Sequence, residues 1–218
     1  MRKLVTLAVA LTLGTASAAA FADGNVFVNA NAGYSDYNFN RSDYSEPGVF
    51  THLRKRDPAG ALRVGYRWRS VVDYGVEAGY GYLGQGELKT LSPDGESTRS
   101  KQKNRGFLLG GNLNYNITDQ WYVSARAGWF RGRNTYSFYD HLTSGGSESF
   151  RGTGTATGEY LGVGAGFNVN RHFSLGLAYD TYHTPSTPVR SSNPYFDGSQ
   201  PIRGTRAGML SIQGEYRL

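Results

Sequence analysis

LNYNITDQWYVSARAGW, Leu113 to Trp129, holds the pattern that decides the fold. Leu113, Tyr115, Ile117, Trp121, Val123, Ala125, Ala127 and Trp129 alternate with Asn114, Asn116, Tyr122, Ser124, Arg126 and Gly128, around a polar break at Thr118 to Gln120. Period two is the spacing of strands. Two strands joined by so tight a break make an antiparallel hairpin. One of its faces is aliphatic with aromatics near the ends, and the other is small, polar or charged.

The scheme recurs on both sides of this hairpin. Val26, Val28, Ala30, Ala32 and Tyr34 oppose Asn29, Asn31, Gly33 and Ser35. Leu62, Val64, Tyr66 and Trp68 oppose Ala61, Arg63, Gly65 and Arg67, and Tyr74, Val76, Ala78, Tyr80 and Tyr82 oppose Gly75, Glu77, Gly79 and Gly81. Leu161 to Val169 and Phe173 to Tyr179 repeat the alternation against glycines, Asn168, Ser174 and Asp180. The last segment sets Leu210, Ile212, Tyr216 and Leu218 against Met209, Ser211, Gln213, Glu215 and Arg217.

The connections alternate in length. Residues 69–73 and 170–172 are short turns like Thr118 to Gln120, whereas the stretches up to Pro58, from 83 to about 105, from 132 to about 158, and from Pro185 past Pro201 read as long polar loops. An even number of strands with short turns on one rim and long loops on the other is the pattern of bacterial outer-membrane barrels. The expected fold is all-β, an eight-stranded antiparallel up-and-down transmembrane β-barrel. Tilted strands of about ten residues cross the hydrocarbon, and closure removes the unpaired edges that lipid cannot satisfy.

Composition agrees. In 218 residues, 39% hydrophobic and 14% aromatic, there are 30 glycines, concentrated inside the alternating segments. Glycine weakens an ordinary strand but suits a narrow barrel interior that has little room for side chains. Residues 1–22 read as a secretory signal: Arg2 and Lys3 start it, Leu4 to Leu13 is its short apolar run, and Ala20-Phe21-Ala22 offers a cleavage site, leaving 23–218 as the barrel. With no cysteine, disulfides, thiol nucleophiles and thiolate metal sites are excluded.

A lipocalin is also an eight-stranded barrel, with its apolar face inward. Here the other face is mostly Gly, Asn and Ser, too poor in long polar groups for a water-exposed surface. The apolar face ends in Tyr66, Trp68, Tyr74, Tyr80, Tyr82, Tyr115, Trp121, Trp129, Phe173, Tyr179 and Tyr216, and membrane interfaces select such aromatics. The lumen then receives Arg63, Arg67, Glu77, Arg126, Glu215 and Arg217. A lone enclosed charge is costly, so Glu77 is expected to pair with Arg63 or Arg126. Arg67 and Arg217, near the short-turn rim, read as ordinary charges of a solvated vestibule.

The segments VVDYGVEAGYGYLG, YNITDQWYVSARAG, GMLSIQGEYRL and ANAGYSDY resemble, in that family's strand and turn segments, the N-terminal transmembrane domain of the OmpA family of outer-membrane proteins. The resemblance runs from about Asp23 to Leu218, loops aside. It implies a monomeric barrel with a salt-bridge network in its lumen, with Glu77 and Arg126 at matching positions. Three other charged positions of that network are Asn112, Gly166 and Gly176 here, so Arg63 or Glu215 is expected to take over part of it. The chain ends without a peptidoglycan-binding domain, and with Leu218 where such barrels usually end in Phe, the residue read by the barrel-assembly machinery.

No cofactor, metal or catalytic constellation emerges. His52, His141, His172 and His183 are scattered, and Asp180, His183 and Ser186 make a triad only by force. Nothing points to nucleic acid. Arg54, Lys55, Arg56, Lys101, Lys103 and Arg105 lie near the long-loop rim, where guanidinium and ammonium groups would meet the phosphates of lipopolysaccharide. The sequence therefore predicts a structural or surface-interaction protein of the bacterial outer membrane, with periplasmic termini and with lipid and lipopolysaccharide as partners. A narrow pore, a loop-borne adhesin and a lipid-modifying barrel enzyme are the alternatives.

Overall fold

The alternating segments pair edge to edge until the last meets the first. The computed structural model describes residues 24–38, 49–141, 146–188, 190–191 and 204–218; the signal sequence expected over 1–22 lies outside them. The strands are β1 (Gly24–Tyr37), β2 (Phe50–Arg54), β3 (Arg56–Trp68), β4 (Asp73–Leu91), β5 (Ser97–Asn116), β6 (Trp121–His141), β7 (Ser147–Asn168), β8 (Phe173–Thr184), β9 (Arg190–Ser191) and β10 (Thr205–Arg217). Eight of them close a ring in the order β1-β3-β4-β5-β6-β7-β8-β10 and back to β1, every pair antiparallel. β2 pairs with β4 and β9 with β7, both beyond the ring.

Side-chain parity follows the sequence. Leu62, Val163, Leu177 and Ile212 stand on the outer face at 58–64% exposure, and Arg63, Asp180, Ser211 and Gln213, on the opposite parity of the same strands, are buried inside. Aromatic pairs collect on the outer face at the short-turn end: Tyr66 with Trp68, Trp68 with Tyr74, and Trp121 with Phe167 have ring centroids 5.1–5.6 Å apart. Tyr80 and Phe107, 5.2 Å apart, face outward toward the other end.

Side chains, not glycines, tie the short turns. Thr118 Oγ1 accepts from the Trp121 N–H at 3.0 Å, Asn170 Oδ1 from both His172 and Phe173 N–H at 2.8 Å, and Asp73 Oδ1 from the Ser70 N–H at 3.0 Å. Each bond substitutes for a backbone turn contact and fixes where the strand reverses.

Two of the expected long loops are largely strand. β4 and β5 run on to Leu91 and from Ser97, and β6 and β7 are paired from Trp121↔Phe167 up to His141↔Ser147. Backbone pairing needs no apolar face, so the ladder continues where both faces are polar and the alternation that reveals a strand disappears. Likewise β2 forms within the first expected loop and β9 within the fourth.

The lipid-facing band is sensitive to charge in a way that the extensions are not. Val163→Arg, halfway along the membrane-crossing part of β7, is expected to cost about 2–4 kcal/mol, and Thr155→Arg in the extension about 0.5 kcal/mol or less. Urea unfolding in lipid vesicles measures both.

Candidate functional site

The lumen is filled by a few large side chains set over glycines. A Cβ on Gly162 would lie 1.9 Å from Asp180 Oδ1 and 2.8 Å from Arg126 Cγ, one on Gly79 would lie 2.9 Å from Arg63 Cγ, and one on Gly110 would lie 2.5 Å from the Tyr160 hydroxyl. Bulk on one strand is matched by its absence on the strand it leans against.

Across the middle lies a closed layer of charge. Arg63, 1% exposed, reaches Glu77 at 3.5 Å and Asp180 at 3.4 Å; the other Asp180 oxygen lies 3.6 Å from Arg126. Arg63 also donates to Asn31 Oδ1 at 2.6 Å and to the Tyr182 hydroxyl at 2.9 Å, and the Tyr160 hydroxyl donates to Glu77 at 2.8 Å. Arg126 donates to Gln213 Oε1 at 2.5 Å, whose amide in turn donates to the Tyr122 hydroxyl at 3.1 Å. Two guanidiniums thus face two carboxylates, and amides and phenols add further bonds, while Arg63 Nε and Asp180 Oδ1 are met by ion-pair contacts of 3.5 and 3.6 Å rather than by hydrogen bonds; such pairing is what lets ions be tolerated away from water. Asp180, the member that joins both arginines, was not among the expected network residues, although its parity with Ser174 and Gly176 puts it on the inner face.

A second layer lies toward the short turns. Arg67 grips Glu215 with two bonds of 2.7 and 3.1 Å, donates from Nε to Asn112 Oδ1 at 2.8 Å, and lies over the Phe27 ring at 4.4 Å. At 7% exposure it is part of the buried network, which corrects the expectation of a solvated vestibule charge. The partner that encloses it sits on β10, 148 residues away in sequence. Arg217 lies 3.8 Å from Glu215 and donates to Asn168 at 2.7 Å, at the mouth of an open vestibule of about 740 Å³. Of the three positions without charge, Asn112 receives Arg67, and Gly166 and Gly176 make room for the Tyr122 hydroxyl, 2.6 and 2.7 Å from where their Cβ atoms would be.

Toward the long loops an apolar cluster fills the lumen, with buried Asn104, Asn134 and Thr184 beside it, Asn104 donating to Thr184 at 2.9 Å. Tyr37, Leu83, Leu108, Phe130, Tyr160, Tyr182 and Met209 form a cluster at 0–2% exposure. Phe130 meets Tyr182 edge-on at 5.3 Å, and Tyr182 stacks on Tyr160 at 6.1 Å. A bulge in β4 supplies Leu83: the register shifts between Tyr82 and Gln85, and Gly84 takes φ +72°, a conformation that suits glycine. Ser35 Oγ and the Tyr37 hydroxyl donate to the Leu83 and Gly84 carbonyls at 2.5 and 3.2 Å, and Asp57 accepts from Gln85 N–H at 3.0 Å, so the bulge is fully bracketed.

The basic residues of the long-loop end fall into two groups. Arg54 pairs with Asp57 at 3.1 Å, and Lys55 and Arg56 share Asp36 at 3.6 and 3.0 Å. On the β4–β5 extension, Lys103 lies 4.9 Å from the Tyr82 ring centroid, and Arg105 is exposed next to it in the ladder. Glu87 is bonded by Arg99 and lies 3.7 Å from Lys89. Burial pulls the Glu87 carboxyl up, but the bond from Arg99 and the charges of Arg99, Lys89 and Lys101 together hold it below the ordinary carboxylate range.

The forced triad does not form. Asp180 points into the lumen, and His183, three residues on in a strand, faces outward; Ser186 is exposed and accepts from the Gly204 N–H at 3.0 Å. Among the described residues no three His, Cys, Asp or Glu groups are placed to hold a metal ion.

A closed antiparallel ring with an apolar exterior, aromatic ends and an ionised interior defines an integral outer-membrane barrel protein. The family model for the outer membrane protein β-barrel domain matches residues 6–200, and the chain belongs to that family. Among solved structures it is similar to the outer membrane protein OprG from Pseudomonas aeruginosa, with 13% identity, a TM-score of 0.51, and 90% of this chain and 96% of that chain covered. The outer membrane protease OmpT from Escherichia coli matches with 8% identity, a TM-score of 0.50, and 89% and 97% covered. Ail, the attachment invasion locus protein of Yersinia pestis, matches with 16% identity, a TM-score of 0.46, and 90% and 99% covered. No curated protein matches. The likenesses to OprG and OmpT show the fold.

Removing Asp180 leaves two buried guanidiniums without their shared carboxylate. Asp180→Ala is expected to cost about 3–5 kcal/mol, and Arg54→Ser, at an exposed pair, about 0.5 kcal/mol or less, both read by denaturant unfolding in vesicles. Because the Glu87 carboxyl is depressed in the folded chain, its contribution is present above the unfolded value of about 4.3 and is lost as pH falls through the folded value. Amide exchange in the β4–β5 extension, corrected for intrinsic rates, is expected to quicken near pH ~3 relative to pH ~6, and Glu87→Gln to abolish that difference.

Proposed function

We propose that the chain is a plugged outer-membrane barrel of structural and surface-interaction type, a monomer inserted by the barrel-assembly machinery after loss of the leader over 1–22. In this reading the termini and short turns are periplasmic, and the extended hairpins face outward, where their basic residues contact lipopolysaccharide. The observation that carries it is the filled lumen: Phe130 is 0% exposed and Arg63 1%, and the cavity beneath them, about 10 Å³ in volume, has room for about one water. A bore closed by an apolar cluster above and a paired ionic layer below supports a scaffold for surface display more than a conduit for solute.

Two measurements test this reading. The wild type in planar bilayers is expected to be electrically silent, as is the variant with Leu83, Phe130 and Met209 all replaced by Ala, because the ionic layer still closes the bore; steady wild-type conductance overturns the plug. Replacing Arg54, Lys55 and Arg56 with Ser, and separately Lys101, Lys103 and Arg105, is expected to weaken lipopolysaccharide binding several-fold at low salt. Binding unchanged in both triple variants overturns the surface role.

A further inference from the structure

On the outer face, where β3, β1, β10 and β8 lie side by side, a groove of about 860 Å³ opens at the long-loop end. Its chemistry changes from one cross-strand row to the next. The lower row is Pro58, Tyr34, Leu210 and Tyr179, paired in that order across the four strands and apolar except for two phenol groups. The next row is Arg56, Asp36, Gly208 and Thr181, and above it Arg206 sits opposite His183. Gly208 forms the notch: a Cβ there would lie 2.5 Å from the Tyr179 hydroxyl, so the phenol ring lies across the glycine. Below the groove, along β1, the outward residues are the small Ala30 and Ala32, each with a glycine on one side, Gly214 and Gly60, and a large apolar residue on the other, Leu62 and Ile212.

The groove's rim is cationic beyond its own needs. Arg54, Lys55, Arg56 and Arg206 line it with Asp36 as the one carboxylate of the lining, and Arg54 is paired with Asp57 just outside it. Asp36 is shared by Lys55 and Arg56, and the exposed Arg206 guanidinium has no carboxylate partner among the described residues. The Arg206 backbone is held in place: its N–H donates to Asn38 Oδ1 and its carbonyl accepts from the Asn38 N–H, both at 3.0 Å, and the side chain reaches out from that point. An unpaired cation on an anchored backbone, above an aromatic shelf at the height where strands leave the hydrocarbon, matches a phosphate joined to acyl chains.

We propose that this groove is a specific site for lipid A, the phosphorylated, acylated disaccharide of lipopolysaccharide. An acyl chain lies along the small residues of β1 and over Tyr34 and Leu210, and a phosphate meets Arg206 and Arg56. Charge complementarity selects the headgroup, since guanidiniums take phosphate oxygens in pairs, and the depth of the notch selects a chain. Asp36 acts as an internal competitor that holds Arg56 and Lys55 until the phosphate arrives. The inference rests on the reading that the long-loop end faces the outer leaflet, and it narrows a diffuse basic rim to one seam of the barrel.

Native mass spectrometry of the full, detergent-purified barrel with diphosphorylated lipid A, dephosphorylated lipid A and phosphatidylglycerol tests it. Arg206→Ser is expected to lower lipid A affinity about tenfold, and Asp36→Asn, which frees two cations, to raise it several-fold. The gain in Asp36→Asn cannot come from misfolding. Dephosphorylated lipid A is expected to bind far more weakly, and phosphatidylglycerol without preference. If lipid A binding falls in the triple Lys101, Lys103 and Arg105 to Ser variant but ignores Arg206→Ser and Asp36→Asn, the groove is overturned and the broader surface reading stands. If the wild type holds lipid A no better than phosphatidylglycerol, both fall.

Discussion

Volume inside the ring is the constraint on which the rest depends. Eight strands enclose a bore that side chains can just fill, so each large inward group has to be matched by an empty place on the strand it leans against. Arg63 over Gly79, Asp180 and Arg126 over Gly162, and Tyr160 over Gly110 are three instances of one rule. Glycine weakens a strand in open sheet; here it is the condition under which arginine and tyrosine can occupy the lumen at all. The abundance of glycine on the inner face and the size of the residues between the glycines are one fact seen from two sides.

The same confinement shapes the electrostatics. In a filled lumen there is little water to screen a charge, so each guanidinium is bound by a carboxylate and by amides or phenols as well. Asp180 serves two arginines, and Glu215 holds Arg67 and lies near Arg217. Tyr160 and Tyr182 bridge the two kinds of filling, with rings in the apolar cluster and hydroxyls in the ionic layer. The upper plug and the central ion pairs therefore cannot be rearranged independently.

Much of this was legible in the sequence, because parity in a closed sheet is absolute. Every alternating segment has the inner and outer faces that its spacing implied, from Val28 beside Asn29 to Ile212 beside Gln213. What escaped was whatever depends on register or on polar ladders. Arg67 looked solvated because its position near a turn was readable and its neighbour on β10 was not. The hairpins beyond the membrane looked like loops because their two faces are alike. Asp180 and the β4 bulge did leave signals: the three-residue step to His183 puts the two on opposite faces, and Leu83 directly after Tyr82 breaks the alternation just before a glycine pair.

The length of the β6–β7 hairpin has a geometric consequence. About ten tilted residues suffice to cross the hydrocarbon, but β6 has 21 residues and β7 has 22. The surplus, at about 3.3 Å per residue and a tilt near 40°, lifts the last ladder pair, His141 opposite Ser147, roughly 25–30 Å clear of the acyl layer. A paired two-strand mast of that height is far stiffer than a loop of equal length. With the long-loop end outward, as proposed above, the paired strands end beyond the sugars closest to the bilayer, so that a partner met at their end is met beyond them.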